Sequence, residues 1–392
     1  MRRLSTRIFL VVCLLIAGAA VIWGPAYARS AGLVIRAAQL QGFMLSAARV
    51  QAQHYTTEPV VAIHTRHGDV RTRFYRPDAI RRLVLLVPGV HAMGIDEPRL
   101  VGLSNELAAT GLGVVTMELP DLARYRFTPE TVDVIEDGAS WLSERRDLTP
   151  DGKIGLMGIS FAGGLSMVAA GRPSIRDHLA FVFSFGGHGD LPRVLRYLCT
   201  GVEPLKPGDA ADAPPHIRPP HDYGVAVILL GIADRMVPPE QVEPLRQGIV
   251  TFLTASQLDL IDKARAKTVF EQARAIAAVL REPAASLMQQ VNARDVKGLG
   301  ARLLPVLDTI KYPDSLSADH SDPPRAPVFL LHGADDTVIP SVESLLLARH
   351  LEDRTRVRTL LSGLITHAEV DRAAAATEVI KLVGFWADML GE

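Results

Sequence analysis

Three short segments of the sequence carry residue types that together support nucleophilic catalysis. Ser160 stands in "KIGLMGISFAGG", where small residues flank its hydroxyl on both sides. Asp335 and Asp336 stand in "VFLLHGADDTVIP", and His367 stands in "LLSGLITHAEV". A serine becomes a strong nucleophile when a histidine takes its proton and a carboxylate orients that histidine. The order serine, acid, histidine therefore predicts an acyl-transfer site in which Ser160 attacks a carbonyl carbon.

The residues around Ser160 predict a sharp turn between a strand and a helix. The apolar run "KIGLMGI" is predicted to be a strand, and residues 161–171 are predicted to be a helix. A side chain at such a turn is lifted above the edge of the sheet. The first amides of the helix point at the approaching carbonyl, so the Phe161 N–H is predicted to be an oxyanion donor. The competing interpretation is a tightly packed helix start in which Ser160 is only the N-cap.

The three segments each follow a predicted strand. After a hairpin ("VVAIHT" and "VRTRFY"), apolar strands alternate with helices, and they are predicted at 83–89, 113–119, 153–159, 179–185 and 328–333, with "RVRTLL" as the last. Such alternation is typical of a parallel sheet covered by helices on both faces. Ligand sites in these sheets lie at the carboxyl ends of the strands. We therefore expect the three segments to meet at one edge of the sheet.

The alternation of strands and helices is interrupted between residues 188 and 325. A loop rich in proline comes first, and residues from about 222 to 312 are predicted to be helical. The chain leaves the sheet here from the edge that carries Ser160. This helical insertion is therefore predicted to be a cap that excludes water and shapes an apolar acyl site. Residues 58–187 and 326–392 are predicted to form the two parts of the α/β core.

From about residue 58 to residue 392, the chain resembles the α/β-hydrolase superfamily with a helical cap. "GISFAG" is similar to the nucleophile elbow of that superfamily, "HGADDTVIP" to its acid loop and "THAEV" to its histidine loop. Ala162 stands where the elbow usually has glycine. The resemblance implies the α/β-hydrolase fold, with a mostly parallel sheet, helices on both faces and an inserted helical cap domain.

The resemblance also implies roles for individual residues. The position of the acid between a glycine and a proline in the superfamily selects Asp336 over Asp335. Val90, in the loop after "LVLLVPG", is implied as the second oxyanion donor, and its neighbour His91 is interpreted as lining the pocket entrance. The segment "GIADRMVPPEQV" mimics the acid loop, but no histidine loop follows it at a suitable distance. Its Asp234 is therefore interpreted as part of the cap.

The activity that the resemblance implies is hydrolysis of small hydrophobic carboxylic esters. Ser160, His367 and Asp336 would form the triad, with an acyl-enzyme intermediate and no cofactor or metal. Two alternatives stay open. One is a peptidase or amidase of the prolyl-peptidase-like type that uses the same triad. The other is a non-catalytic, membrane-anchored protein with a hydrolase-like fold that serves for binding.

Composition excludes several other classes of function. The 392 residues carry a formal net charge of -1, so no basic surface is available for nucleic acid. The only two cysteines, Cys13 and Cys199, cannot supply a zinc motif or a dithiol motif.

The first residues of the chain predict export or anchoring in a membrane. Three arginines precede an apolar run at 8–23, and a small-x-small triplet ends at residue 28. Residues 1–28 are therefore predicted to be a signal peptide or a membrane anchor, with membrane contact through 8–23. Residues 29–57 are predicted to be a linker that contains an amphipathic helix over 31–53.

Overall fold

The computed structural model describes residues 24–38, 43–259, 261–365 and 372–392. Nine strands in these ranges form one sheet: β1 (Tyr55–Thr57), β2 (Val61–Thr65), β3 (Gly68–Pro77), β4 (Arg82–Val87), β5 (Leu112–Met117), β6 (Ile154–Ile159), β7 (Leu179–Phe185), β8 (Val328–Gly333) and β9 (Val357–Ser362). The strand order is β1-β3-β5-β4-β6-β7-β8-β9, and β2 pairs with β3 outside this path. β3 is antiparallel to β1, β2 and β5, whereas the six strands from β4 to β9 run parallel to one another.

Helices connect and cover these strands. In chain order they are α1 (24–37), α2 (Phe43–Gln51), α3 (Pro98–Ala108), α4 (Pro120–Ala123), α5 (Pro129–Ser143), α6 (Phe161–Gly171), α7 (Leu191–Thr200), α8 (Asp222–Gly231), α9 (Ala233–Met236), α10 (Pro239–Leu258), α11 (Lys263–Val279), α12 (Ala284–Asn292), α13 (Val296–Leu307), α14 (Val342–Leu351) and α15 (Arg372–Leu390). The helices between β7 and β8, from α7 to α13, constitute the helical insertion.

The parallel strands are apolar throughout because both of their faces are buried. In β4, Leu83 and Leu85 belong to one core cluster, together with residues of α5 and α6. Val84 and Leu86 belong to the other, together with residues of α3 and α15. Successive side chains of a strand point to opposite faces, so a continuous apolar run requires helices on both sides. The predicted fold class, a mostly parallel sheet with helices on both faces, is confirmed.

The segment that mimics the acid loop, "GIADRMVPPEQV", lies within the helical insertion. Val225 and Leu230, which would have bounded a strand, lie inside α8 and are buried there. Asp234 lies in α9, where its side chain is largely exposed and 3.7 Å from Arg246. The segment is therefore helical and does not form the strand and loop that an acid at Asp234 would need.

A buried ion pair fixes the start of the insertion to the core. Glu343 of α14 is fully buried, and its Oε1 accepts a hydrogen bond of 2.6 Å from Arg193 Nε of α7. Its Oε2 accepts from the backbone amides of Gly189 and Asp190 at 3.0 and 3.1 Å. A buried carboxylate needs such partners because burial alone strongly disfavours its charge. The loop after β7 is thereby held in a defined position.

The N-terminal part of the described chain differs from the predicted linker. α1 packs against the α15 side of the sheet through the buried side chains of Leu33 and Val34. Ser30 Oγ also donates a hydrogen bond of 2.6 Å to the Val383 carbonyl. The sequence predicts one helix over 31–53, but the structure has two. Residues 31–37 belong to α1, which begins at residue 24, and α2 is a separate helix. β1 belongs to the sheet rather than to a linker.

Most of the predicted signal or anchor segment, including the apolar run at 8–23, lies outside the described residues. Among the helices that are described, none combines the length and the apolar character that crossing a membrane requires.

Candidate active site

Ser160 occupies the turn between β6 and α6 with a strained backbone. Its φ is 55° and its ψ is -132°, a conformation that residues with a Cβ rarely adopt. Two hydrogen bonds of 2.7 Å stabilise the turn, from Ser160 N to Phe185 O and from Gly163 N to Ser160 O. The Ser160 side chain makes no capping hydrogen bond to α6. Ser160 is thus the N-cap of α6 by position, but its hydroxyl does not serve the helix as a cap.

Glycine is required where the backbone comes close to this turn. A Cβ on Gly89, after β4, would lie 3.0 Å from Ser160 Cβ and 3.1 Å from the Ile159 carbonyl oxygen. A Cβ on Gly158 would lie only 2.3 Å from the Ala162 carbonyl oxygen. The loop after β4 therefore passes directly beside Ser160, which explains the small residues on both sides.

The two predicted oxyanion donors lie on either side of this contact. Phe161 is the first residue of α6, and the first amides of a helix have no acceptor within it. Its buried ring packs against Phe127, with ring centroids 4.6 Å apart. Val90 directly follows Gly89, and its carbonyl accepts a hydrogen bond of 3.0 Å from the Tyr223 hydroxyl. The assignment of both amides as oxyanion donors stays a prediction.

Asp336 lies after β8 at the same edge of the sheet, and the backbone orients its carboxylate. Oδ1 accepts hydrogen bonds from Val338 N at 2.8 Å and from Ile339 N at 3.1 Å. Oδ2 lies 3.6 Å from the point that a Cβ on Gly186 would occupy, and Gly186 directly follows β7. One oxygen is thus held by two amides, and the other lies beside the strand next to the Ser160 turn.

Asp335 lies in a different environment. Its side chain is 53% exposed, and its Oδ1 accepts a hydrogen bond of 3.0 Å from Arg218 Nη1. This carboxylate is therefore engaged with a cation at the surface. The difference between the two environments favours Asp336 as the acid, and this choice stays a prediction.

His332 is close to Asp336 but is unsuited to be the base. Its Nε2 is 3.6 Å from Asp336 Oδ2, which is too long for a hydrogen bond. The ring is fully buried, with Nε2 2.9 Å from the Ile339 carbonyl oxygen and Nδ1 2.7 Å from Ser344 Oγ. With both nitrogens bonded inside the fold, His332 has no free nitrogen for a serine proton.

His367, the predicted base, lies outside the described residues. The described chain before it ends at Ile365, after β9. Ser362, the last residue of β9, pairs with Gly333 of β8, and its carbonyl accepts a hydrogen bond of 3.1 Å from Ala334 N. The end of β9 therefore lies beside the loop that carries Asp336, and the role of His367 stays a prediction.

A small apolar pocket lies between the Phe161 ring and the helical insertion. The core contributes Val90, Phe127, Phe161 and Val338, and the insertion contributes Leu195, Leu198, Tyr223, Gly224, Val227 and Ile228. The cavity volume is about 10 Å³, close to the space that one water molecule needs. α7 and α8 thus close this part of the site with apolar side chains.

Two further groups near the site have shifted pKa values. Burial lowers the pKa of His91, and its Nδ1 accepts a hydrogen bond of 3.2 Å from Met93 N. One nitrogen of the His91 ring is thus engaged in a hydrogen bond within its own loop. This favours the interpretation that His91 lines the pocket entrance over a role in proton transfer.

Burial raises the pKa of the Cys199 thiol to about 12, so this cysteine is not a thiolate nucleophile at neutral pH. Among the side chains that the structure describes, no cluster of His, Cys, Asp and Glu is arranged to hold a metal ion.

Sequence reasoning missed the residues with which α7 and α8 contact the site. Tyr223 hydrogen-bonds to Val90, and the backbone amide of His221 donates to the Thr337 carbonyl at 2.9 Å. Neither residue belongs to a motif, so the sequence contains no signal for these contacts. They depend on how the insertion folds back on the core.

No protein-family model matches the sequence, and no curated protein matches it. Solved structures do match. An esterase of Pyrobaculum calidifontis is 15% identical, with 89% of this chain and 90% of that one covered and a TM-score of 0.42. For dienelactone hydrolase of Anabaena variabilis, the identity is 14%, the coverages are 85% and 98%, and the TM-score is 0.41. Est1E of Butyrivibrio proteoclasticus is 13% identical, with 86% of this chain and 100% of that one covered and a TM-score of 0.42.

These TM-scores are below 0.5, so the fold is assigned from the chain's own topology. The parallel strands are covered on both faces, Ser160 lies at the turn after β6, and the helical insertion follows β7. By this arrangement, the chain has the α/β-hydrolase fold.

Proposed function

We propose that this protein is a serine hydrolase that cleaves small hydrophobic carboxylic esters. The observation that carries the proposal is the Ser160 turn. It combines a strained backbone at the end of β6 with a hydroxyl that is not used for capping. Strain of this kind persists only where the surrounding structure enforces it, and it is typical of nucleophiles at strand-to-helix turns.

In the proposed mechanism, Ser160 Oγ attacks the ester carbonyl while His367 takes its proton. The negative charge that develops on the carbonyl oxygen is stabilised by the N–H groups of Phe161 and Val90. His367 then returns the proton to the leaving alcohol, and Asp336 stabilises the imidazolium. Water attacks the acyl-enzyme in the same way, with His367 as the base, and releases the acid. Apart from the ester and this water, the proposed steps use groups of this chain.

The order of the motifs along the chain supports the assignment of His367 as the base. In the sequence, His367 stands two residues after Ile365, which lies just beyond the end of β9. β9 pairs with β8, and the loop after β8 carries Asp336. Asp336 Oδ2 is free of the amides that hold Oδ1.

The apolar lining of the pocket supports a hydrophobic substrate. The side chains that enclose it are aliphatic or aromatic, and Tyr223 brings the one hydroxyl among them. With a volume of about 10 Å³, the pocket accepts no more than a water-sized group, such as the methyl end of a short acyl chain. Its apolar lining favours such a group over a hydroxylated or charged one, which would lose hydration without compensation.

Hydrolysis by the purified protein separates this proposal from the amidase alternative. We expect p-nitrophenyl esters of short and medium chain to be hydrolysed with a higher kcat/KM than aminoacyl anilides. Faster cleavage of the anilides would favour the peptidase alternative. Absence of both activities, together with absence of reaction with a fluorophosphonate, would favour the non-catalytic one.

The pocket predicts how acyl-chain preference can be changed. Val227→Ala removes two methyl groups from the lining contributed by α8, where Val227 is buried. We expect the variant to prefer longer acyl chains, with kcat/KM gaining about fourfold per added methylene that the new space accepts. The measurement is kcat/KM across a series of p-nitrophenyl esters of increasing chain length.

The matched control is Val250→Ala in α10, where the side chain is 40% exposed and lines no part of the pocket. This variant should keep the wild-type preference. If both variants, or neither, shift the preference, the acyl chain binds elsewhere.

A further inference from the structure

We propose that Tyr223 is a positioning residue for the oxyanion hole: its hydroxyl holds the Val90 carbonyl and so fixes the Val90 amide. This inference rests on the proposed function, because it concerns a donor that the ester-hydrolysis mechanism uses. It adds a contribution of the helical insertion to catalysis that is separate from its lining of the acyl pocket.

The contact lies immediately beside the nucleophile. Tyr223 Oη donates a hydrogen bond of 3.0 Å to Val90 O. Gly89, the preceding residue, is so close to the serine that a Cβ on it would lie 3.0 Å from Ser160 Cβ. The Val90 carbonyl and amide belong to the same residue. A bond that holds the carbonyl therefore restricts rotation of the residue and limits where its N–H can lie.

The helix that carries Tyr223 is itself fixed at its start. His221, the N-cap of α8, accepts a hydrogen bond of 3.1 Å from Tyr223 N through Nδ1. The backbone amide of His221 donates to the Thr337 carbonyl at 2.9 Å, in the loop that carries Asp336. The first turn of α8 thus contacts both the loop of Val90 and the loop of the predicted acid.

The Tyr223 ring is held in a closely packed environment. It packs edge-to-face against Tyr125 of the core, with centroids 6.2 Å apart. The next residue of α8, Gly224, faces α7: a Cβ on it would lie 2.5 Å from Leu198 Cδ2, so the two helices are in close contact. Burial raises the pKa of the Tyr223 phenol well above its usual value. The hydroxyl is therefore protonated and a hydrogen-bond donor at neutral pH.

The hydrogen bond to Val90 matters most in the transition state. Oxyanion donors act on a charge that is absent from the bound ester, and removing one donor costs on the order of 10²–10³ in kcat. Tyr223→Phe leaves the Val90 amide in place but frees its loop. We expect kcat for a p-nitrophenyl ester to fall by about 10- to 100-fold, as a partial loss of one donor. KM should change by less than about threefold, because the ring with which residue 223 lines the acyl pocket is retained.

Tyr125→Phe is the matched control. It removes a phenol oxygen that is buried in the same cluster and that, like the Tyr223 hydroxyl, lies beside the Gln257 side chain, but the Tyr223 hydroxyl is the one bonded to Val90. A general effect of deleting a buried hydroxyl would therefore appear in both variants. Thermal unfolding of both proteins verifies that each variant is folded at the assay temperature.

A second readout separates positioning from a purely structural role. A trifluoromethyl ketone forms a tetrahedral adduct with the serine and carries the oxyanion, whereas the matched methyl ketone binds mainly as a ground-state analogue. Tyr223→Phe should weaken inhibition by the trifluoromethyl ketone by the same factor as kcat and leave inhibition by the methyl ketone unchanged. Tyr125→Phe should leave both unchanged.

Three results would overturn the inference. One is wild-type kcat in Tyr223→Phe, another is an equal loss in Tyr125→Phe, and the third is equal weakening of the two ketones. Failure of the proposed function gives a different result, because the wild-type protein would then neither hydrolyse the ester nor react with a fluorophosphonate.

Discussion

Ser160→Ala is expected to lower ester turnover by about 10⁴-fold or more, because the mechanism has no other nucleophile. The variant should fold like the wild-type protein. Alanine has the same Cβ as serine, so the backbone strain at φ 55° is unchanged, and the hydroxyl makes no capping bond that would be lost. The measurement is kcat/KM for a p-nitrophenyl ester, with thermal unfolding as the test of folding.

Ser166→Ala is the control for this prediction. Ser166 lies in the same helix, is fully buried, and its Oγ has no hydrogen-bond partner. We expect this variant to retain turnover within a small factor of the wild type. Near-normal turnover in Ser160→Ala would exclude the proposed mechanism.

Asp336→Asn is expected to lower kcat by about 10⁴-fold, the effect seen when the acid of a serine-protease triad is replaced in this way. The amides of Val338 and Ile339 are donors, so they would retain the amide oxygen at the position of Oδ1. The NH₂ group would then occupy the position of Oδ2. A donor would stand where the imidazole N–H needs an acceptor, and His367 would be held in the wrong tautomer.

Asp335→Asn provides a control one residue away. Its carboxylate is exposed and pairs with Arg218, an interaction of the kind that contributes about 1 kcal/mol or less. This variant should keep kcat close to the wild-type value, as should Asp234→Asn in the insertion. A large loss in Asp335→Asn, with a small loss in Asp336→Asn, would mean that the acid is assigned to the wrong residue.

The sequence predicted the parts of the fold that local patterns determine. β4 is apolar at every position from Leu83 to Val87 because both faces of the sheet are covered, and this pattern is readable without a structure. The Ser160 turn was predictable for a similar reason. Glycine and alanine around a hydroxyl indicate close backbone contacts, and Gly158 and Gly89 make such contacts.

The parts that sequence analysis missed depend on contacts between distant segments. The hydrogen bond from Tyr223 to Val90 joins residues 133 positions apart, and neither residue type indicates the other. The packing of α1 on the core was missed for the same reason. Ser30 bonds to Val383 across 353 positions, and the preceding apolar run directed the prediction towards a linker after a leader or anchor.

Mass spectrometry after reaction with a fluorophosphonate tests the central claim most directly. The tryptic peptide 154–176 contains Ser160, Ser166 and Ser174, so fragmentation has to assign the added phosphonyl group to one residue. The proposed mechanism predicts one group per chain, located on Ser160, with labelling lost in Ser160→Ala and strongly slowed in Asp336→Asn. An unmodified Ser160, or labelling that persists in Ser160→Ala, would contradict it.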